Sequence, residues 1–382
     1  MAAPTTPFRV PRARLPELHR AMGEELRAAI EPLLFGPPSE GYAARARLEA
    51  ALAEATGLPH VCAVHSGTIA LLIALRACGV GPGHEVITVG NSDISTTAAV
   101  RQAGATPVLC DVRPEDYTLD VALVEELVTP RTAAIVPVDL YGHPADVAAL
   151  RPLADRHGLR IVEDAALALG AADHGRPVGA FADATVFSFA PYKPLGSLGN
   201  GAALATADPA VAARARLLCG YGHDPAAEPA SPLGQRYIAE GYNVPLDPFQ
   251  AALLLVKLPR LAAWSEGRRA VAGAYAAALG GLVGLPSFRP ESRPTFRAYT
   301  VRVPDAEIVC AALRAAGVEA VRHYAPPIAE HPVYGGGLPG SDRLPVTAEL
   351  ARSLVCLPVA PELTAEDVAY VAARLEASGP PR

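Results

Sequence analysis

Lysine is almost missing from this chain. Of 33 Lys and Arg residues only Lys193 and Lys257 are lysines, so arginine supplies nearly every cation. Arginine stays protonated in any protein setting, whereas a lysine amine can lose its proton and attack a carbonyl. A lone lysine in the Gly-rich run FSFAPYKPLGSLGNG (187–201) therefore raises a question of chemistry rather than of charge. The six cysteines, Cys62, Cys78, Cys110, Cys219, Cys310 and Cys356, form no C-x-x-C pair and meet no His at metal-ligand spacing. The spacing predicts reduced, mostly buried thiols and no metal site. No apolar run approaches the length of about 18 residues that a membrane helix needs. The start, MAAPTTPFRVPRARLPELHR, has Pro and Arg where a signal peptide has an apolar core, so a cytoplasmic protein is expected. A net charge of −6 and a pI near 5.9 leave no general footprint for nucleic acid. With 51% hydrophobic and 19% charged residues, the composition is that of a globular chain.

What the sequence does contain is alternation. VCAVHS is followed by TIALLIALRAC, EVITV by STTAAVRQAG, TPVLCDV by VALVEELV, AAIVPVDL by DVAALRPLADRHG, and then RIVEDAA, ATVFSFA and GAALATA. Short β-branched runs between helical runs predict βαβ units, about seven strands and an α/β fold with a mostly parallel buried sheet. A long helical stretch from about residue 247 is expected to break at Pro259. Beyond LPSFRPESRP the pattern restarts as a smaller α+β unit. The expected organisation is an N-terminal helical segment (1–56) over the junction, a large α/β domain (57–262) and a small C-terminal α+β domain (263–382).

Open α/β sheets bind ligands at the carboxyl ends of their strands, and three features stand there. Ser66-Gly67-Thr68 joins a strand to a helix start, where hydroxyls and free N–H groups make an anion site; the alternative is simple helix capping. Glu163-Asp164 ends the apolar run RIV. Ser188 and Lys193 flank a third strand end, with Gly196, Gly199 and Gly201 allowing close backbone approach. An anion pocket, an acid and an amine on one sheet edge fit pyridoxal phosphate, which takes a Lys Schiff base, a carboxylate at the pyridinium nitrogen and a phosphate cup. The GVGPGHE run at Gly79 follows a helix and precedes a strand, the wrong order for a dinucleotide loop, and reads as a turn.

The runs SGTIAL, GVGPGHEVI, GATPVLCDV, VDLYGHPAD, VEDAA, FSF with Lys193 and LGSLGNG, GYN (241–243), QAALL, HYAPPIAEHPVY and LVCLPVAPELTAEDV resemble those of the DegT/DnrJ/StrS family. Those are pyridoxal-phosphate-dependent sugar aminotransferases of the aspartate aminotransferase-like fold (PLP fold type I). The resemblance implies that Lys193 carries the cofactor and that Asp164 partners its ring nitrogen. It implies that Ser66, Gly67, Thr68 and Ser188 hold the phosphate, and that Asn243 reaches the phosphate of a neighbouring subunit in a homodimer with shared active sites. A free lysine with a pKa of about 10.4 is almost never neutral at pH 7, so the pocket must depress it or favour the imine.

The departures from the family surround the ring and substrate. Asp93 stands where relatives carry an aromatic over the cofactor ring; a helix N-cap is the alternative role. Leu167 replaces Gln or His, Pro245 replaces Arg and Pro194 replaces Asn. His323 and Tyr324 match a position near the sugar, or serve structure alone. His65 is expected to pack on its strand, and Lys257, in an apolar helical run, to snorkel. The implied reaction moves an amino group from an amino acid, glutamate first, to a keto group of a nucleotide-linked deoxysugar. A 4-keto sugar ranks first, and a 3-keto sugar or keto-cyclitol follows. A related dehydratase would carry His in place of Lys193. A non-catalytic regulatory paralogue that binds the same ligands is the rival from another class.

Overall fold

The computed structural model describes residues 8–224, 236–335 and 337–378. Seven strands build the main sheet: β1 (His60–Val64), β2 (Glu85–Val89), β3 (Thr106–Cys110), β4 (Thr132–Val136), β5 (Arg160–Asp164), β6 (Ala184–Ser188) and β7 (Ala202–Thr206). Their spatial order is β1-β7-β6-β5-β4-β2-β3. Pairings from β6 through β5, β4 and β2 to β3 are parallel, and β7 runs antiparallel to both β1 and β6. EVITV and ATVFS are buried at every position, as a sheet covered on both faces requires. The α/β fold expected from the alternation is the fold observed. The GVGPG run is a turn between a helix and β2, with Gly79 and Gly83 at φ of 88° and 85°, a region that penalises any side chain.

Six helices position the site: α1 (Gly23–Phe35), α2 (Ser39–Thr56), α3 (Gly67–Ala77), α4 (Ile94–Gln102), α5 (Pro248–Lys257) and α6 (Leu261–Leu279). The sequence of α3, GTIALLIALRA, is apolar all round, and seven of its residues are buried, so it lies inside the core between sheet and outer helices. On the opposite face Leu48 and Leu52 of α2 pack with Val61, Ala63 and Leu254. Truncating such a fully buried leucine to alanine costs about 2–5 kcal/mol.

A second core joins the far half of α6 to an antiparallel pair, β8 (Tyr299–Arg302) and β9 (Leu354–Leu357), and to the helices Ala306–Ala315 and Ala365–Ser378. Proline breaks the helical stretch as expected: a 3-10 turn, Leu258–Arg260, separates α5 from α6. The division drawn at 262/263 falls inside α6, which gives Leu261 to the first core and Val271, Tyr275 and Leu279 to the second. The N-terminal segment touches both units. Met22 and Leu26 pack on Leu253, while Arg12 and Arg14 pair with Glu319 and Asp367 at 2.9 Å. Among the described residues no helix is long and apolar enough to cross a membrane.

Candidate active site

Parallel strands point their carboxyl ends the same way, and this brings the chemistry together. Asp164 is the last residue of β5, and Ser188 the last of its neighbour β6. Lys193 follows in the loop that turns back into β7. Asp164 and Lys193 line one cavity of about 230 Å³ with Ser66, Gly67, Thr68 and Ser188.

The two groups tune each other. Burial and, after it, the Arg297 guanidinium push the Lys193 amine down to about 8 against the partial opposition of the Asp164 and Asp93 carboxylates. A nucleophilic amine is therefore far closer to neutral at physiological pH than a free lysine, as the sequence reading required. Burial raises the Asp164 carboxyl, and a 2.8 Å bond from Thr96 Oγ1 to Oδ2 holds it back, with a 3.2 Å bond from the Ala166 N–H to Oδ1. One acid beside one amine makes a proton donor–acceptor pair at the cavity wall.

The anion end is built by α3. Its N-cap, Ser66, is extended and makes no side-chain cap, so the first N–H groups of an eleven-residue helix are left to a ligand. Capping, the alternative reading of Ser66, is not what its side chain does. A Cβ added at Gly67 would lie 3.6 Å from Ser188 Oγ, so the missing side chain is the space between the helix turn and that hydroxyl. Such a cup takes a phosphate. Amine, acid and cup fit pyridoxal phosphate.

The remaining predicted residues divide. Asp93 takes the N-cap role weighed for it, with Oδ1 accepting the Ser95 N–H at 2.9 Å at the start of α4, and the residue also lines the cavity. Leu167 and Tyr324 line it too, and Tyr324 stacks on Tyr141 at 6.4 Å between ring centres. His323 does not; burial and the positive field of Arg297 hold its imidazole down near 4, so it is neutral. Asn243 is exposed, paired to Gly220 by a bridge, and lies outside its own chain's cavity.

Two expectations fail. His65 is exposed rather than packed, because β1 stops at Val64. Lys257 does not snorkel: it is 2% exposed, donates to the Gly196 carbonyl at 2.7 Å and meets His19 Nε2 at 2.9 Å. Thr96, Asn200 and Arg297 were not singled out by sequence. Nothing in the local pattern marks them, apart from a hydroxyl pair, Thr96 and Thr97, buried on a helix that should face the core. Among the described residues the one cluster with metal-ligand geometry is Asp146, Asp173 and His174, and Arg289 already pairs with both carboxylates, at 2.6 and 2.9 Å.

Comparison with known proteins gives this geometry a family. Residues 22–376 match the DegT/DnrJ/EryC1/StrS aminotransferase family. The chain is 41% identical over 365 residues to a dTDP-3-amino-3,4,6-trideoxy-alpha-D-glucose transaminase of Streptomyces venezuelae, covering 93% of this chain and 92% of that one. It is 40% identical over 328 residues to a UDP-N-acetyl-3-dehydro-alpha-D-glucosamine 3-aminotransferase of Acidithiobacillus ferrooxidans, covering 85% and 86%. The crystal structure of S. venezuelae DesV in complex with a ketimine intermediate superposes with a TM-score of 0.89 at 39% identity, covering 97% and 98%. The chain belongs to the DegT/DnrJ/EryC1/StrS aminotransferase family and is a pyridoxal-phosphate-dependent aminotransferase.

Proposed function

We propose that the protein transfers an amino group from an amino acid, glutamate first, to the 3-keto group of a nucleotide-linked deoxysugar. Bound pyridoxal phosphate supplies an electron sink that makes the donor's Cα proton removable. Lys193 tethers the cofactor, and its amine, once displaced, carries the proton between the donor Cα and the cofactor's C4′. Asp164, buried and held by Thr96, keeps a proton on the ring nitrogen. The first-turn N–H groups of α3, with Thr68 and Ser188, hold the phosphate.

A homodimer with shared sites completes the reading. Asn243 is exposed and does not line its own chain's cavity, so in this reading a second copy of the chain presents it. The apolar side chains of Tyr221, Tyr237 and Ile238, at 53%, 51% and 53% exposed, offer surface that such a contact would cover. The substrates, nucleotide sugars and amino acids, are soluble cytoplasmic metabolites, and the enzyme is placed with them.

The position of amination rests on one observation. The two relatives described above carry C3 chemistry in their names and align over 85% or more of this chain. That moves the 3-keto sugar ahead of the 4-keto sugar that the sequence ranked first, with keto-cyclitols behind. Running the reaction backwards on a panel of dTDP- and UDP-linked 3-amino and 4-amino sugars tests it: deamination of a 3-amino sugar is expected, and turnover of 4-amino sugars alone would refute position 3. The regulatory reading predicts no conversion of the cofactor by glutamate or any other amino donor.

A further inference from the structure

Lys193 stands between two cavities. Behind it, away from the anion cup, lies a second space of about 30 Å³, walled by Arg12, Arg268, Arg297, Lys257, Trp264 and Glu362. With Lys193 this wall holds five cations. Arg12 pairs with Glu319 at 2.9 Å and sits 4.6 Å over the Tyr192 ring. Lys257 is satisfied by Gly196 and His19. Arg268 donates one bond, to the Pro194 carbonyl at 3.3 Å, and its Nη1 has no partner. Glu362, the one acid in the wall, also keeps an unpartnered oxygen.

Arg297 is the exception among them. Its Nε is buried with no hydrogen-bond partner, and no described residue forms an ion pair with it. It lies deep in the protein yet keeps some accessible surface, as a side chain facing an internal space does. Arg12 repels it, and it in turn repels Lys193 and Arg268 and disfavours protonation of His323. A guanidinium cannot shed its charge, so a buried and unpaired one is costly unless an anion arrives. Volume selects the anion: the space admits about two water-sized groups, enough for the oxygens of one carboxylate and too little for a diphosphate. Position selects its owner. The donor's amino nitrogen takes over the place of the Lys193 nitrogen, and its α-carboxylate is attached one carbon away.

We propose that the cavity behind Lys193 seats the α-carboxylate of the amino-acid donor, with Arg297 as its main ligand and Arg268 and Arg12 flanking it. The proposal rests on the transaminase reading and adds the residues that select an α-amino acid over a plain amine.

The test compares L-glutamate with 4-aminobutyrate, which is glutamate without its α-carboxylate, in single-turnover conversion of the cofactor-loaded enzyme. For Arg297→Gln the glutamate kcat/KM should fall about 30- to 1,000-fold, the usual effect of removing one partner of a buried charge pair. The rate with 4-aminobutyrate should fall far less, by only the part due to losing the Arg297 charge beside Lys193, because that donor has no α-carboxylate to seat; the ratio of the two losses carries the proposal. Arg297→Lys, which keeps the charge and loses the planar fork, should fall between. Maleate, which has no amine to react, should raise the Tm of the loaded wild type and leave that of Arg297→Gln unmoved. Equal losses on both donors would assign Arg297 to shaping Lys193 and overturn the proposal, as would an unchanged glutamate rate or a maleate shift that survives the substitution. A wild type that converts neither donor would bring down the transaminase reading, and this proposal with it, before any substitution is made.

Discussion

Thr96 Oγ1 donates a 2.8 Å hydrogen bond to Asp164 Oδ2. The first lies on α4 after β2, the second ends β5, and the bond joins them across the floor of the cavity. Burial alone would drive the Asp164 carboxyl toward its neutral form, which could not hold a protonated ring nitrogen. The hydroxyl favours the anion. In the proposed mechanism this makes Thr96 a positioning residue that acts through Asp164.

Replacing it with valine keeps the volume and removes the donor. The Asp164 pKa should rise further, so the acidic limb of the pH profile for the glutamate half-reaction should move to higher pH. At neutral pH the rate should drop about 10- to 150-fold, the effect of one lost hydrogen bond to a charged group, with cofactor content unchanged. A pH profile that does not move would remove Thr96 from the mechanism.

Gly67 separates phosphate binding from folding. An added Cβ meets only ordinary contacts, 3.5 and 3.6 Å from Ser188, and alanine suits a helix better than glycine does. Gly67→Ala should therefore leave the Tm of the cofactor-free protein unchanged or higher. Its dissociation constant for pyridoxal phosphate should rise at least about tenfold, since the methyl group occupies the cup. Equilibrium dialysis against the cofactor decides the matter.

Lys257 carries a pH signature. Burial lowers its amine to about 8 from an ordinary value of 10.5, so between those values the unfolded chain binds more protons than the folded one. Stability attributable to this residue must then rise with pH across that window. Relative to Lys257→Met, the wild type should gain stability from pH 8 to pH 10.5 in parallel urea titrations. Taking the difference cancels the buried thiols, such as Cys78 and Cys110, which shift in the opposite sense.

Much of this was legible in the sequence, and the exceptions share a cause. Lys193, Asp164, Ser66 and Ser188 could be read because strand ends on a parallel sheet meet at one edge whatever the details of packing. Thr96 could not, since its function depends on the angle at which α4 sits over β5. Arg297 comes from the neighbourhood of the second core and faces Lys193 only through tertiary packing. Lys257 misled for a similar reason: an apolar helix with one lysine normally leaves the ammonium a route to water, but α5 is covered by α1 and α2, and a carbonyl of the Lys193 loop meets the charge instead. The N-cap role of Asp93 is legible in the sequence because it directly precedes a helical run, and the same position borders the cavity.

The covalent tether at Lys193 is the claim on which the chemistry depends. Borohydride reduction of the cofactor-loaded protein, followed by peptide mass mapping, should place the pyridoxyl group on the peptide containing Lys193, and Lys193→Arg should lose the absorption band of the lysine-linked cofactor. A reduced adduct on Lys257, or no adduct at all, would contradict the account.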